Sequence, residues 1–184
     1  MRKLNVFNQV SLDGYFVNNT GDMSWAHKQD AEWNEFTSSN AGGGGELLFG
    51  RVTYDMMKSF WPTPQALQAM PEVAKQMNAL PKVVFSTTLS EAGWNNTKIV
   101  KSNITDEVRK MKNESGPDMV IMGSGTIVAQ FAKEGLIDQY QIVVNPIVLG
   151  SGRTMFDGLE DSLDLRLTST RSFKNGNVVL QYVR

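Results

Sequence analysis

Residues 119–128, Met119-Val120-Ile121-Met122-Gly123-Ser124-Gly125-Thr126-Ile127-Val128, constrain the fold more than any other stretch of the chain. Four apolar residues in a row read as a strand buried on both faces, and such strands belong to parallel sheets covered by helices. The run passes straight into Gly-Ser-Gly-Thr, after which Ile127, Val128, Phe131 and Ala132 recur at helical spacing as far as Gly135, where a left-handed stop is expected. Strand, glycine turn and helix in that order form an anion-binding turn. The glycines let a phosphate approach the backbone, and the first N–H groups of the helix point at it with the positive end of the macrodipole behind them. With only two glycines the same pattern also serves as an ordinary connection, so the turn alone leaves both readings open.

The rest of the chain supplies partners for that strand. Leu4, Val6, Val10 and Leu12 alternate with mostly polar neighbours and predict a first strand with one buried face, broken at Asp13-Gly14 and followed by an exposed polar loop to about Ser24. Trp33 and Phe36, with Asp30, Glu32 and Glu35 around them, predict an amphipathic helix over 26–38. The glycine run from Gly42 to Gly45 lacks a following Lys-Ser or Lys-Thr and reads as a flexible connection. Glu46-Leu47-Leu48-Phe49 is a strand ending at Gly50, and helix formers run from Arg51 to Ser59, so strand, glycine and helix occur in that order a second time. Pro62 and Pro64 mark a loop, Pro71 opens a helix carrying Val73, Ala74, Met77 and Leu80, and the strand Lys82 to Phe85 ends in Ser86-Thr87-Thr88. Ile99-Val100 is a short strand, and Asn103 with Asp106 three residues later is expected to cap a helix bearing Ile104, Val108 and Met111. Tyr140 to Val144 is a strand bounded by Asn145-Pro146. Leu163, Leu165 and Leu167 alternate with polar residues, and Asn175-Gly176 separates them from Val178 to Val183, which predicts a C-terminal antiparallel hairpin. The expectation is a three-layer α/β domain over residues 1–184, with about eight strands in one mixed, mostly parallel sheet and helices on both faces.

Composition narrows the chemistry. A chain of 184 residues with a formal net charge of −1 has no basic excess, so neither nucleic acid nor an anionic membrane is an expected partner. The absence of cysteine removes disulfides, thiolate zinc and a cysteine nucleophile, and a single histidine, His27, rules out a multi-histidine metal site within one chain. No long apolar run suggests a signal peptide or a membrane span, so the expected location is the cytoplasm.

In an open α/β sheet, ligands bind beyond the carboxyl ends of the strands. Three such ends carry suitable groups: Gly123-Ser124-Gly125-Thr126 offers backbone donors, Gly50-Arg51-Val52-Thr53 a helix start with a guanidinium, and Ser86-Thr87-Thr88 hydroxyls. A planar guanidinium beside hydroxyls suits a phosphate dianion. Two phosphate positions on one sheet point to NADPH rather than NADH.

Ser11-Leu12-Asp13-Gly14, Leu47-Leu48-Phe49-Gly50-Arg51-Val52-Thr53-Tyr54, Val83-Val84-Phe85-Ser86-Thr87-Thr88-Leu89 and Gly123-Ser124-Gly125 resemble the dihydrofolate reductase superfamily. Within it they are most similar to the reductase domain of riboflavin biosynthesis and its stand-alone relatives. The most specific part of the match runs from Gly135 to Tyr140 and on through Asn145-Pro146 and Gly150-Ser151-Gly152 to Phe156. The resemblance spans nearly the whole chain. It implies an eight-stranded dihydrofolate-reductase-like sheet with a C-terminal hairpin, NADPH as hydride donor, and a homodimer. It places Arg51 and Thr53 with Ser86 and Thr87 near the adenosine phosphate, and Gly123, Ser124, Gly125 and Thr126 on the pyrophosphate, with Gly50 and Val52 also expected to bind the cofactor. Met23-Ser24-Trp25, Asp30 and Trp33 resemble the spacing of folate-reducing members, which makes Asp30 the candidate to hold and polarise a ring nitrogen, with Asp13 as the second candidate. Each also has a plain structural reading, Asp30 as a solvated helix-face carboxylate and Asp13 as an Asp-Gly turn.

Two departures matter. Riboflavin-pathway reductases commonly carry a basic residue after the Asp-Gly pair, where this chain has Tyr15, and a chain without cysteine lacks the ligands of the zinc deaminase often fused to them. The methionines and tryptophans, with Trp61-Pro62, are divided between core and a ring-binding cleft. The expected activity is NADPH-dependent hydride transfer to a pteridine- or aminopyrimidine-like heterocycle or its opened sugar form, as in 5-amino-6-(5-phosphoribosylamino)uracil reductase. The alternatives are a non-catalytic nucleotide- or flavin-binding module, a reductase of the same fold with another substrate, and a dimeric scaffold.

Overall fold

The computed structural model describes residues 1–28 and 30–184. Its main sheet contains β1 (Leu4–Ser11), β3 (Glu46–Gly50), β4 (Lys82–Phe85), β5 (Thr97–Val100), β6 (Met119–Met122), β7 (Gln139–Asn145), β9 (Arg166–Ser172) and β10 (Val178–Val183), in the order β5-β4-β3-β6-β1-β7-β10-β9. The first six in that order are parallel, so their carboxyl ends lie on one edge, while β10 runs antiparallel to β7 and β9 antiparallel to β10. A separate two-stranded ribbon pairs β2 (Tyr15–Val17) with β8 (Arg153–Thr154). The expected mixed α/β sheet with a C-terminal hairpin is present.

One face of the sheet packs Leu4, Val6 and Ile121 against α5 (Ile104–Asn113) and α6 (Gly125–Lys133), whose Val108, Val128 and Phe131 are fully buried. The opposite face is covered in two parts. The turns of α2 (Arg51–Phe60), α3 (Pro64–Ala69) and α4 (Pro71–Ala79) contribute Tyr54 and Met77 to a core with Leu47, Phe49 and Val84, while α1 (Ala31–Gly42) sets Trp33 on Val143, Phe173 and Val179. A cleft remains between the two parts, over β1 and β6. Val120 and Met122 therefore stay half-buried, and the Met119-to-Met122 strand alternates where burial on both faces was expected.

Other boundaries also moved for local reasons. The helix expected over 26–38 begins at Ala31, because Asp30 turns extended and its carboxylate accepts the Trp33 N–H as an N-cap. Pro64 opens a helix, fixed by its own φ and by Thr63, whose hydroxyl accepts the Ala66 N–H. Asn103 sits before α5 in a left-handed conformation with no side-chain cap bond, so the expected capping does not form. β9 starts only at Arg166, since Leu163 and Leu165 fold onto the core ahead of it, and Leu12, beyond the end of β1, is 67% exposed. The Gly42–Gly45 run leaves α1 and turns into β3 with positive φ at Gly44 and Gly45. No helix among the described residues is long and apolar enough to cross a membrane.

Beneath the sheet, Lys82 holds the end of α4 in place. Its buried ammonium donates to the carbonyls of Asn78, Leu80 and Asn95 and lies 4.5 Å from the Trp94 ring centroid. Lys82→Met keeps the apolar stem and strands three carbonyls, so it is expected to lower unfolding free energy by roughly 1–3 kcal/mol. Urea denaturation at neutral pH reads this, and an unchanged midpoint would show the three bonds to be dispensable.

Candidate functional site

The glycine turn is held by neighbours from β1, β3, α2 and the β2–β8 ribbon. Asn8, buried in the core-facing stripe of β1, accepts the Gly123 N–H on Oδ1 at 2.6 Å and turns its Nδ2 to the Met155 sulfur at 2.8 Å. Ser124 adopts φ 63°, rare for a residue with a side chain, and occupies the N-cap position of α6 without capping it. Its hydroxyl instead accepts the Gly50 N–H at 2.7 Å. The consequence is that Gly125, Thr126 and Ile127 keep their N–H groups without a protein acceptor among the described residues.

The start of α2 has the same property. Gly50 is its N-cap and has no side chain to cap with, and the first turn carries no acid. By contrast, α1 and α3 are capped by Asp30 and Thr63. Among the described residues α4 and α5 also lack a side-chain cap, but only the starts of α2 and α6 are joined to each other, by the Ser124–Gly50 bond and by packing through Thr53. A Cβ on Gly123, which has φ 65°, would lie 2.7 Å from the Thr53 methyl, so this position requires glycine, and one on Gly50 would lie a tight 3.2 Å from the Ser124 hydroxyl oxygen. Phe16 from the β2–β8 ribbon rests on Gly125, where a Cβ would lie 2.8 Å from the ring.

Arg51 and the β4 end meet in the same region. The Arg51 guanidinium pairs with Asp55 at 2.5 Å and donates to the Thr88 hydroxyl at 3.1 Å, half-exposed and with further donors facing outward. Ser86 is buried and accepts the Thr88 and Leu89 N–H groups, which makes it the brace of the turn that presents exposed Thr87 and Thr88. The structure thus brings together Gly50, Arg51, Val52, Thr53, Ser86, Thr87, Gly123, Ser124, Gly125 and Thr126, the residues expected to converge.

The two carboxylates differ. Asp13 accepts the Ser11 hydroxyl at 2.6 Å and the N–H groups of Leu149 and Gly150 at 3.1 and 2.7 Å. The Ser11 bond is the main cause lowering its pKa from 3.8 to about 2, opposed by desolvation and aided by the backbone donors. This geometry makes Asp13 a clamp on the second Gly-Ser-Gly segment, ionised at neutral pH. Asp30 uses Oδ1 as the α1 cap, while its Oδ2 is buried with no hydrogen-bond partner among the described residues. Lys28, Trp33 and Asn34 on either side of it line the cleft.

That cleft has a volume of about 670 Å³ and runs along β1 between α1 and the α2–α4 layer. Met56, Met57, Phe60, Trp61 and Met70 form one wall, and the exposed imidazole of His27 lies at its edge. It opens toward the strand ends that carry the glycine turn, where Met122 directly precedes Gly123.

Comparison with known proteins establishes the family. The family model of the RibD C-terminal domain matches residues 2–179. The chain belongs to the RibD C-terminal domain family. Two relatives from Bacillus subtilis (strain 168), the uncharacterized proteins YyaP and YwjB, are each 28% identical, over 94% of this chain and 90% of YyaP, and over 100% of this chain and 98% of YwjB. A solved structure of a protein ascribed to riboflavin biosynthesis from Shewanella sp. PV-4 superposes with TM-score 0.72 at 26% identity, covering 99% of this chain and 98% of that one. The bifunctional diaminohydroxyphosphoribosylaminopyrimidine deaminase/5-amino-6-(5-phosphoribosylamino)uracil reductase of Thermotoga maritima shares the fold with TM-score 0.67 at 11% identity, over 99% of this chain and 56% of the larger protein. Family membership supports a reductase-like role, and the 11%-identical structure shows the shared fold alone.

Within this RibD C-terminal domain, Asn8 escaped the sequence pattern, and Thr88 stood out only as one of three strand-end hydroxyls, without its Arg51 partner. Asn8 leaves a trace there, as the polar member of the Leu4, Val6, Val10 stripe, whereas the Arg51–Thr88 contact depends on how β3 and β4 pair. The Asp13 clamp makes a pH prediction. A carboxylate with a lowered folded pKa contributes fully above its ordinary 3.8 and loses that contribution as pH falls through about 2. The amide resonances of Leu149 and Gly150 should therefore titrate with a midpoint near 2, and a midpoint at 3.8 would remove the clamp.

Proposed function

We propose that the protein is an NADPH-dependent reductase that delivers hydride to the carbon of a C=N or C=O bond of a planar heterocycle held in the cleft, while the heteroatom takes its proton from solvent. The observation that carries this reading is the pair of uncapped helix starts at Gly50 and Ser124, joined to each other beside the cleft. Free N–H groups at adjoining helix starts suit a pyrophosphate, and the tight approaches at Gly123 and Gly50 leave backbone rather than side chain to meet it. Arg51, with Thr87 and Thr88 nearby, suits the additional phosphate that separates NADPH from NADH.

When bound, the nicotinamide supplies the hydride, and the protein contributes position and electrostatics. In this reading Met122 and Gln9 border the reducible bond at the near end of the cleft. Asp30 accepts an N–H of the ring on its unpartnered Oδ2, which supports the electron-poor form of the neighbouring bond. Asp13 keeps the Leu149–Gly150 segment in place and takes no part in proton transfer. A homodimer belongs to the same reading, supported by β9, a seven-residue edge strand exposed along its length.

Fluorescence titration tests the proposal directly. NADPH should bind at least tenfold more tightly than NADH, the difference one charge-assisted contact produces. Arg51→Ala should erase most of that preference, and Asp55→Asn, which releases the guanidinium from its present partner, should enlarge it. Equal affinities for the two nucleotides in the parent protein would sink the role given to Arg51. Saturable NADPH binding without oxidation across pteridines, aminouracils and flavins would identify a binding module instead.

A further inference from the structure

The far end of the cleft, away from the glycine turns, has an unusual floor. Asn5 lies beside Gln139 in the β1–β7 register, and Gln141 lies beside Gln181 in the β7–β10 register. These four amide side chains share the sheet face that α1 covers, yet under the body of α1 the same face presents Val143 and Val179. Amides appear where the cleft is and apolar residues where the helix packs. An ordinary helix-covered face has no use for such a row, because each unbonded amide there costs desolvation. Asn40 on α1 donates to Gln141 Oε1 at 3.0 Å and Ser169 donates to Gln181 Oε1 at 3.0 Å, so these two are held in position. No protein partner is recorded for the side chains of Asn5 or Gln139 among the described residues, and Asn5 Oδ1 is buried and unpaired.

Charge sharpens the picture. Among the described lining residues only His27 and Lys28 are ionisable, and they stand with Asp30, whose carboxylate the proposed reading sets on the ring, just before α1 at the end of the cleft nearest the carboxyl ends of the strands. A phosphate or carboxylate at the amide end would lose its water with no cation to receive it. The opposite wall there includes Met70, Val73 and Met77, which suit the face of a flat ring. From Asn5 to Gln9 the floor extends four residues, about 13 Å at roughly 3.3 Å per residue, longer than one pyrimidine ring.

We infer that the far end of the cleft binds the uncharged, hydrogen-bonding edge of an elongated planar heterocycle, with its alternating N–H and C=O groups read by Asn5, Gln139 and Gln141. A substrate whose buried end carries a sugar phosphate does not fit this floor. The inference rests on the proposed reductase reading only for placing the reduced bond at the near end.

Lumichrome, an uncharged three-ring compound with such an edge, is the probe, titrated by its own fluorescence in the absence of nucleotide. It should bind saturably at one site per chain. Asn5→Leu and Gln141→Met should each weaken it roughly three- to tenfold, the effect of a neutral hydrogen bond, while Gln141→Asn should retain part of the affinity. Lumichrome carrying a carboxymethyl group on its pyrimidine N3 should bind at least tenfold more weakly. Thermal unfolding and the NADPH titration of each variant report whether its fold is intact. Equal binding of the two probes, no lumichrome binding, or unchanged affinity in both folded amide variants would overturn the inference. Failure of NADPH to bind would instead count against the reductase reading and leave the lumichrome result standing.

Discussion

A single hydrogen bond, from the Gly50 N–H to the Ser124 hydroxyl, organises the carboxyl edge of the sheet. It joins the ends of β3 and β6, which are neighbours in the sheet although far apart in sequence. The same bond diverts the one side chain that could have capped α6. It therefore locks two helix starts together and leaves their N–H groups free for another acceptor. A helix start left bare in this way has unmet donors, and Ser124 is held at a left-handed φ as well. Both features are costs to the folded state, and an anion at this position would offset the first of them.

Much of this was legible in the residues. Glycine after an apolar run, followed by helical spacing, marked both helix starts, because turn chemistry and hydrophobic period are local properties. The β-order was not legible beyond its class. Insertion of β6 between β3 and β1 is what sets Gly123 against Thr53 and Ser124 against Gly50, and no pattern within either segment encodes that adjacency. Asn8 shows the intermediate case: a polar residue in an apolar stripe signals a buried partner, but only the fold supplies its identity, the Gly123 N–H.

The carboxylates illustrate why residue type underdetermines role. Asp13 and Asp30 both precede or follow turn-forming residues and both looked able to handle a proton. Their surroundings separate them. Three donors saturate Asp13 and hold it ionised, whereas Asp30 spends one oxygen on the start of α1 and keeps the other buried without a donor. An acceptor left in that state carries an uncompensated desolvation cost.

The cleft extends the same logic from single atoms to a surface. Its methionine and aromatic wall was anticipated as ring-binding, but the amide floor was not, since Asn5, Gln139, Gln141 and Gln181 come from three strands and look in sequence like solvent-facing positions of alternating strands. Placed on one face beneath α1, they become a polar strip inside an otherwise apolar slot. A slot of this composition discriminates by hydrogen-bond pattern more than by charge, because a buried amide left unpaired by the wrong ligand costs more than a lost apolar contact. Tyr15, which opens β2 where riboflavin-pathway reductases commonly carry a basic residue, is consistent with the proposed uncharged edge, since neither it nor the amide floor supplies a cation.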